Sequence, residues 1–287
     1  MYLDTRSQEK MMLSLVKGLN ASYTAIQLFF LENRHLCHTQ GWCDGALLEN
    51  RIQSFVEQHI SNISFDEVLF FHLSRRLNTV EDNLVDNLFN LLSTENAFSK
   101  FLNMREIAFV SKNRRLELYF KGEHFPLKES YGVGSGIHYL RWRLGHNKKG
   151  NKDFCVNGFA FKDLVYRNDY AQSLMRAPEF ICNLSDFLEM PQLISDYERN
   201  SKYYCFEYCV PLDEVIIDEN AKLKSNIGKV KHLLQAIVRW LYECSVCGED
   251  KITANGNPVL RLKDTATMLE KHFVGKEEIN RELLMKA

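Results

Sequence analysis

The apolar run Val68-Leu69-Phe70-Phe71 passes directly into His72-Leu73-Ser74-Arg75-Arg76-Leu77-Asn78. A short apolar run of this kind predicts a buried strand, and the polar string after it predicts the strand's exit. A histidine, a serine and an arginine then emerge together at one strand end. Sites for polar ligands are commonly built this way, on the rim of a rigid sheet.

The segments around this strand set the fold class. Met11, Met12, Leu15, Val16, Leu19, Tyr23, Ile26 and Phe30 recur at three- and four-residue intervals, which predicts one buried helical face. A further helix is expected from Gly45 to His59, and Ser61-Asn62-Ile63-Ser64 breaks the pattern. The expected domains are therefore a helical cap or partner-binding region over 1–62 and a catalytic core over 63–287. In the core, 80–102 reads as helix, and Ile107–Val110 and Leu116–Phe120 as a hairpin turning at Asn113-Arg114-Arg115. Phe154–Phe161 reads as strand, Val165–Met175 as helix, and Tyr203–Val210 and Val215–Asp218 as strands separated at Pro211. Gly228–Cys244 reads as a long helix. Helices first, then strands interleaved with helices, predict an α+β fold.

Composition narrows the function classes. No long uncharged apolar stretch is present, so no membrane span is expected, and the polar start does not read as a secretory signal peptide. A cytoplasmic protein is expected, with export by a route needing no signal peptide left open. The net charge of -1 gives no general attraction to polyanions. A local exception is Arg141-Trp142-Arg143 with His146, Lys148, Lys149 and Lys152, a solvated loop or a nucleic-acid contact. Several of the 8 cysteines sit in apolar segments, which predicts buried free thiols. Cys244-x-x-Cys247 has the spacing of half a zinc site, and the other half would have to come from His35, Cys37, His38 and Cys43. Neither cluster has a second regular pair, and no metal is expected.

Glu207 stands out on physical grounds. Side chains alternate along a strand. Tyr204, Phe206, Tyr208 and Val210 therefore share one face, and Tyr203, Cys205, Glu207 and Cys209 the other. A carboxylate on a half-buried face is costly unless paired or used. It is either a salt-bridged structural glutamate or a functional one.

Three segments, in order, resemble the diphtheria-toxin and poly(ADP-ribose) polymerase class of ADP-ribosyltransferases. They are the His72 string, Gly158-Phe159-Ala160-Phe161-Lys162-Asp163 with Asn168 and Tyr170, and the strand around Glu207. The resemblance implies a split β-sheet core with flanking helices and NAD as co-substrate. It implies Glu207 as the catalytic carboxylate that stabilises an oxocarbenium-like state. His72 would hold a ribose hydroxyl, the backbone of Leu73 the carboxamide, and Ser74 the same group by its hydroxyl. Arg75 and Asn78 would lie near the adenosine half or the phosphates. Ala160 replaces the family's stacking tyrosine, so Phe159, Phe161, Tyr166 or Tyr170 would have to stand in. The implied activity is mono-ADP-ribosyl transfer to a protein or nucleic acid, in a toxin, effector or phage-defence setting, with a neutralising or chaperone partner. The alternative is a non-catalytic module that binds NAD, ADP-ribose or a partner.

Overall fold

The computed structural model describes residues 1–37, 45–60, 65–128, 136–147, 153–167, 169–248 and 256–286. The chain opens with strand β1 (Tyr2–Leu3) and helices α1 (Gln8–Gly18), α2 (Tyr23–Glu32) and α3 (Gly45–His59). Strand β2 (Glu67–Leu77) follows, then α4 (Leu88–Ser93), α5 (Ala97–Asn103) and strands β3 (Ile107–Lys112), β4 (Arg115–Phe120) and β5 (Glu123–His124). Next come α6 (Ile137–Arg143), β6 (Asn157–Phe159), α7 (Lys162–Val165), α8 (Asp169–Ser173), α9 (Glu179–Phe187) and α10 (Gln192–Arg199). The remainder is β7 (Ser201–Pro211), β8 (Ile216–Ile217), α11 (Asn226–Tyr242), β9 (Val259–Arg261), β10 (Phe273–Glu278) and α12 (Arg281–Lys286). The fold is mixed α+β with a largely antiparallel main sheet.

The apolar stripe over Met11–Phe30 forms two helices where the periodicity predicts one. Leu19 leaves α1 in an extended conformation, and Ser22 caps α2 by accepting from the Ala25 N–H at 3.2 Å. The break is held from outside, because the Asn20 N–H donates to the His59 carbonyl. The Ser61–Ser64 segment, read as a boundary, lies outside the described residues. The helices before it and the sheet after it bury their apolar side chains in one continuous core.

The main sheet runs β10-β7-β2-β6-β9-β8, with β1 beside β2. Its centre is the β2–β7 pair, in register from Glu67↔Pro211 to Leu77↔Ser201. One face carries Val68, Phe70, Phe206, Tyr208 and Val210 into the core with α1, α3 and α11. The other carries Leu69, Phe71, Leu73, Tyr203 and Cys205 against residues of α7, α8 and α12. The alternation read along Tyr203–Val210 is thus present. Fully burying a ring such as Phe70 or Phe71 contributes about 1.5–3 kcal/mol.

A second sheet, β3-β4-β5, packs with α4, α5, α6, α9 and α10 in a separate core. Its hairpin turns at Asn113 and Arg114, both left-handed at φ 52° and 59°, which fits a two-residue turn whose twist matches the strands.

Other segments differ from expectation. Residues 80–87 are not helical, because Val85 pairs with Met268 and Asn83 is held by Glu270. The strand expected over Phe154–Phe161 is confined to β6, and the helix expected over Val165–Met175 is two short ones. Cys155, Cys182, Cys205, Cys209 and Cys244 are free thiols, as expected, but Cys37 is disulfide-bonded. No helix among the described residues is long and apolar enough to cross a membrane.

Candidate functional site

The polar string after Phe71 is not a strand exit. β2 continues to Leu77, with Leu73, Arg75 and Leu77 buried and His72, Ser74 and Arg76 half-buried. Its pairing with β7 continues to the end, whereas its pairing with β6 is at Phe71↔Phe159. Among the described residues, no strand covers that edge from His72 onward. A cavity of about 1050 Å³ opens there, lined by His72 to Leu77 and by α6, α8 and α9 residues.

Of the residues expected to bind a cofactor, His72, Leu73, Ser74, Arg75 and Tyr170 line this cavity. His72 is anchored through Nδ1, 2.6 Å from the Asn157 carbonyl. That contact requires the Nδ1–H tautomer, which leaves Nε2 as an acceptor. Burial, with a smaller contribution from Arg76, pushes the imidazole down to about 4 despite the Asn157 bond. Tyr170 lies 44% exposed, with its ring 6.4 Å from that of Phe159.

Arg75 lines the cavity, but its guanidinium is held by acceptors within the protein. Its Nε donates to Ser201 Oγ at 3.0 Å, and NH2 to the carbonyls of Glu198 and Ser201 at 3.0 and 2.9 Å. NH1 donates to the Met175 carbonyl. Asn78 lies past the strand end, beside a smaller adjoining cavity, with its N–H on the Asn200 carbonyl. Phe161 is fully buried in the core with Ala160 and is not among the residues lining this cavity.

Glu207 departs furthest from expectation. It pairs across the sheet with Phe71, while His72 pairs with Phe206, so Glu207 and His72 point to opposite faces. Glu207 does not line the large cavity. Its carboxylate accepts from Arg6, which also pairs with Asp4 at 3.0 Å. This is the salt-bridged glutamate, one of the two readings its position allowed.

The glycine of the second segment has a packing cause. A Cβ on Gly158 would come 2.4 Å from Phe70 Cε1. Gly158→Ala is therefore expected to cost about 1–3 kcal/mol by overpacking, read as a lower urea midpoint at unchanged slope.

Four cavity residues were not singled out by sequence for this role: Tyr139, Arg143, Glu179 and Arg76. Arg143 pairs with Asp153 at 2.5 Å, and its Nε is buried without a partner. Burial raises the Tyr139 hydroxyl, while Arg143 opposes the shift. Trp142 also lines the cavity, 47% exposed. Burial raises the Tyr170 hydroxyl, and Glu179 adds to the shift there as it does at Tyr139. Glu179 is itself exposed at the start of α9.

The basic segment is only partly available to phosphates. Arg141 donates to the carbonyls of Leu127 and His146, His146 contacts the Leu116 carbonyl, and Arg143 holds Asp153. Lys148, Lys149 and Lys152 lie outside the described residues. Asp153, Cys155 and Asp264 lie close enough to share a cation, but their donors are engaged. Arg143 occupies Asp153, the Phe154 N–H occupies Asp264, and burial together with Asp153 pushes the Cys155 thiol up to about 12.

No family model, curated protein or solved structure matches this chain. Function is therefore read from the site itself.

Proposed function

We propose that the chain binds a nucleotide of the NAD or ADP-ribose class along the open edge of β2. The observation that carries this is the cavity itself: a strand edge that no described strand covers, aromatic rings at Tyr139, Trp142 and Tyr170, and the guanidinium group of Arg76. Its volume suits a ligand of this size. His72 Nε2 accepts from a ribose hydroxyl, and the backbone of Leu73, on the edge that no described strand covers, meets a carboxamide. The exposed rings stack on a base, and the Arg76 guanidinium meets a phosphate. On this reading the protein is a binding module.

The test is calorimetric titration with NAD and with ADP-ribose. His72→Ala is expected to weaken binding roughly tenfold, or about 1.4 kcal/mol, and Glu207→Gln to leave it unchanged. A folded wild-type protein that binds neither ligand at millimolar concentration would sink the proposal.

A second reading, mono-ADP-ribosyl transfer to a protein or nucleic acid, is favoured by Glu179. This exposed carboxylate lies at the cavity beside Tyr139 and Tyr170, with no ion pair among the described residues. It, and not Glu207, would stabilise positive charge developing on the ribose as nicotinamide leaves. Nicotinamide release from NAD in cell lysate should then fall by about a hundredfold in Glu179→Gln and persist in Glu207→Gln. No release from wild type would leave the binding module alone.

A further inference from the structure

We infer that the smaller cavity beyond Arg76 is a phosphoryl-anion site. It measures about 300 Å³ and shares Arg76, Leu77, Val80 and Asp82 with the large one, so the two adjoin. Arg76 on β2 stands directly opposite Lys202 on β7, with both side chains on the same face. Like charges so placed are destabilising. Lys276, opposite Phe206 on β10, adds a third cation to the same face.

Little within the protein offsets this charge. Lys202 meets Glu278 at 3.3 Å, an exposed pair of small value. Lys276 donates to the neutral amide oxygen of Asn83 at 3.0 Å. Arg76 donates to the Leu84 carbonyl, and its Nε is buried without a partner. Among the described residues, the one carboxylate lining the cavity, Asp82, accepts from the Leu84 N–H. Aromatic rings fix the cations in place: Arg76 lies 5.0 Å from the Phe206 centroid, and Lys276 lies 5.3 Å from Tyr204 and 5.7 Å from Phe206. A pair of cross-strand cations and a third beside them match the oxygens of a phosphate or pyrophosphate.

The site stands on its own geometry and extends the nucleotide reading through the shared residue Arg76. The anion is either a phosphate of the nucleotide in the large cavity or one carried by a separate molecule. Inorganic pyrophosphate is the first probe, titrated calorimetrically into the wild type and into Lys202→Gln/Lys276→Gln. Both lysines are exposed, and the variant's fold is checked by its melting curve. Pyrophosphate should bind the wild type and weaken by roughly tenfold or more in the variant. ADP-ribose and NAD weakening by the same factor assigns the site to the nucleotide's own phosphates. Unchanged ADP-ribose and NAD affinity, with pyrophosphate still weakened, assigns it to a second phosphorylated molecule. Pyrophosphate binding that depends on the lysines, in a protein binding neither nucleotide, removes the nucleotide reading and keeps this site. No pyrophosphate binding by the wild type, or equal binding by a folded variant, overturns it.

Discussion

Arg75→Ala is expected to lower the unfolding free energy by about 3 kcal/mol or more, because several acceptors would lose one shared donor in a water-poor interior. The guanidinium joins three parts of the chain, reaching Met175 after α8, Glu198 on α10 and Ser201 at the start of β7. Two of those acceptors are backbone carbonyls at a helix end and a strand start, which the chain cannot turn toward solvent without undoing the element. The Tyr197 hydroxyl in turn donates to the Arg75 carbonyl at 3.1 Å, so the strand and α10 are tied in both directions. At roughly 2–4 °C per kcal/mol for a chain of this size, the melting temperature should fall by about 6–12 °C. Arg75→Lys should recover only a small part, since an ammonium cannot reproduce a planar fork serving separated acceptors. Urea unfolding followed by circular dichroism makes the measurement. A loss below about 1 kcal/mol would return Arg75 to the ligand site.

Arg75 also shows where the sequence was legible. The period-two pattern along Tyr203–Val210 is present in both faces of β7, since each face meets a different core. The same rule continues β2 beyond Phe71: Leu73 and Leu77 keep the period, and Arg75 sits on it as a buried charge. A polar string looks like a strand exit only when its alternation is overlooked. Other features depend on partners remote in sequence. Nothing local to Glu207 indicates Arg6, 201 residues away. Nothing local to Val85 indicates Met268, whose N–H donates to the Val85 carbonyl at 2.8 Å and whose pairing keeps that segment out of a helix. The cavity residues Tyr139 and Arg143 come from a short helix whose apolar anchors, Ile137 and Leu140, are too few for a clear periodic signal.

Glu207 illustrates how a family-like string separates from its chemistry. A carboxylate within one strand of a histidine satisfies a linear motif, but the one-residue offset in register sends the two side chains to opposite faces. No rotamer change brings them together. Arg6 then neutralises the carboxylate in place, with Asp4 completing the group. His72 to Leu77 line the large cavity together with Tyr139, Trp142 and Tyr170.

His72 supplies the second large effect, through pH. Its folded-state pKa, near 4, lies below the ordinary 6.5, chiefly because burial disfavours the charged ring, and the nearby Arg76 adds to this. Between those values the unfolded chain holds a proton that the folded chain lacks. Stability contributed by the neutral ring is therefore fully present above pH 6.5, falls as pH drops through the window, and levels off below about 4. The shift corresponds to about 3 kcal/mol across the window, at 1.36 kcal/mol per unit. Carboxylates titrate in the lower part of the same range, so the comparison must be internal. In His72→Asn, a neutral side chain keeps a donor toward the Asn157 carbonyl but has no proton to gain. Urea unfolding of both proteins at pH 7 and pH 4 isolates the histidine: the wild type should lose about 3 kcal/mol more than the variant. Equal losses would mean that the folded protein accommodates the imidazolium, and the ring would then be free to donate from both nitrogens. Acceptance at Nε2 from a ribose hydroxyl requires the neutral form, so nucleotide affinity should hold from pH 7.5 down to pH 5.5 if the pKa lies near 4.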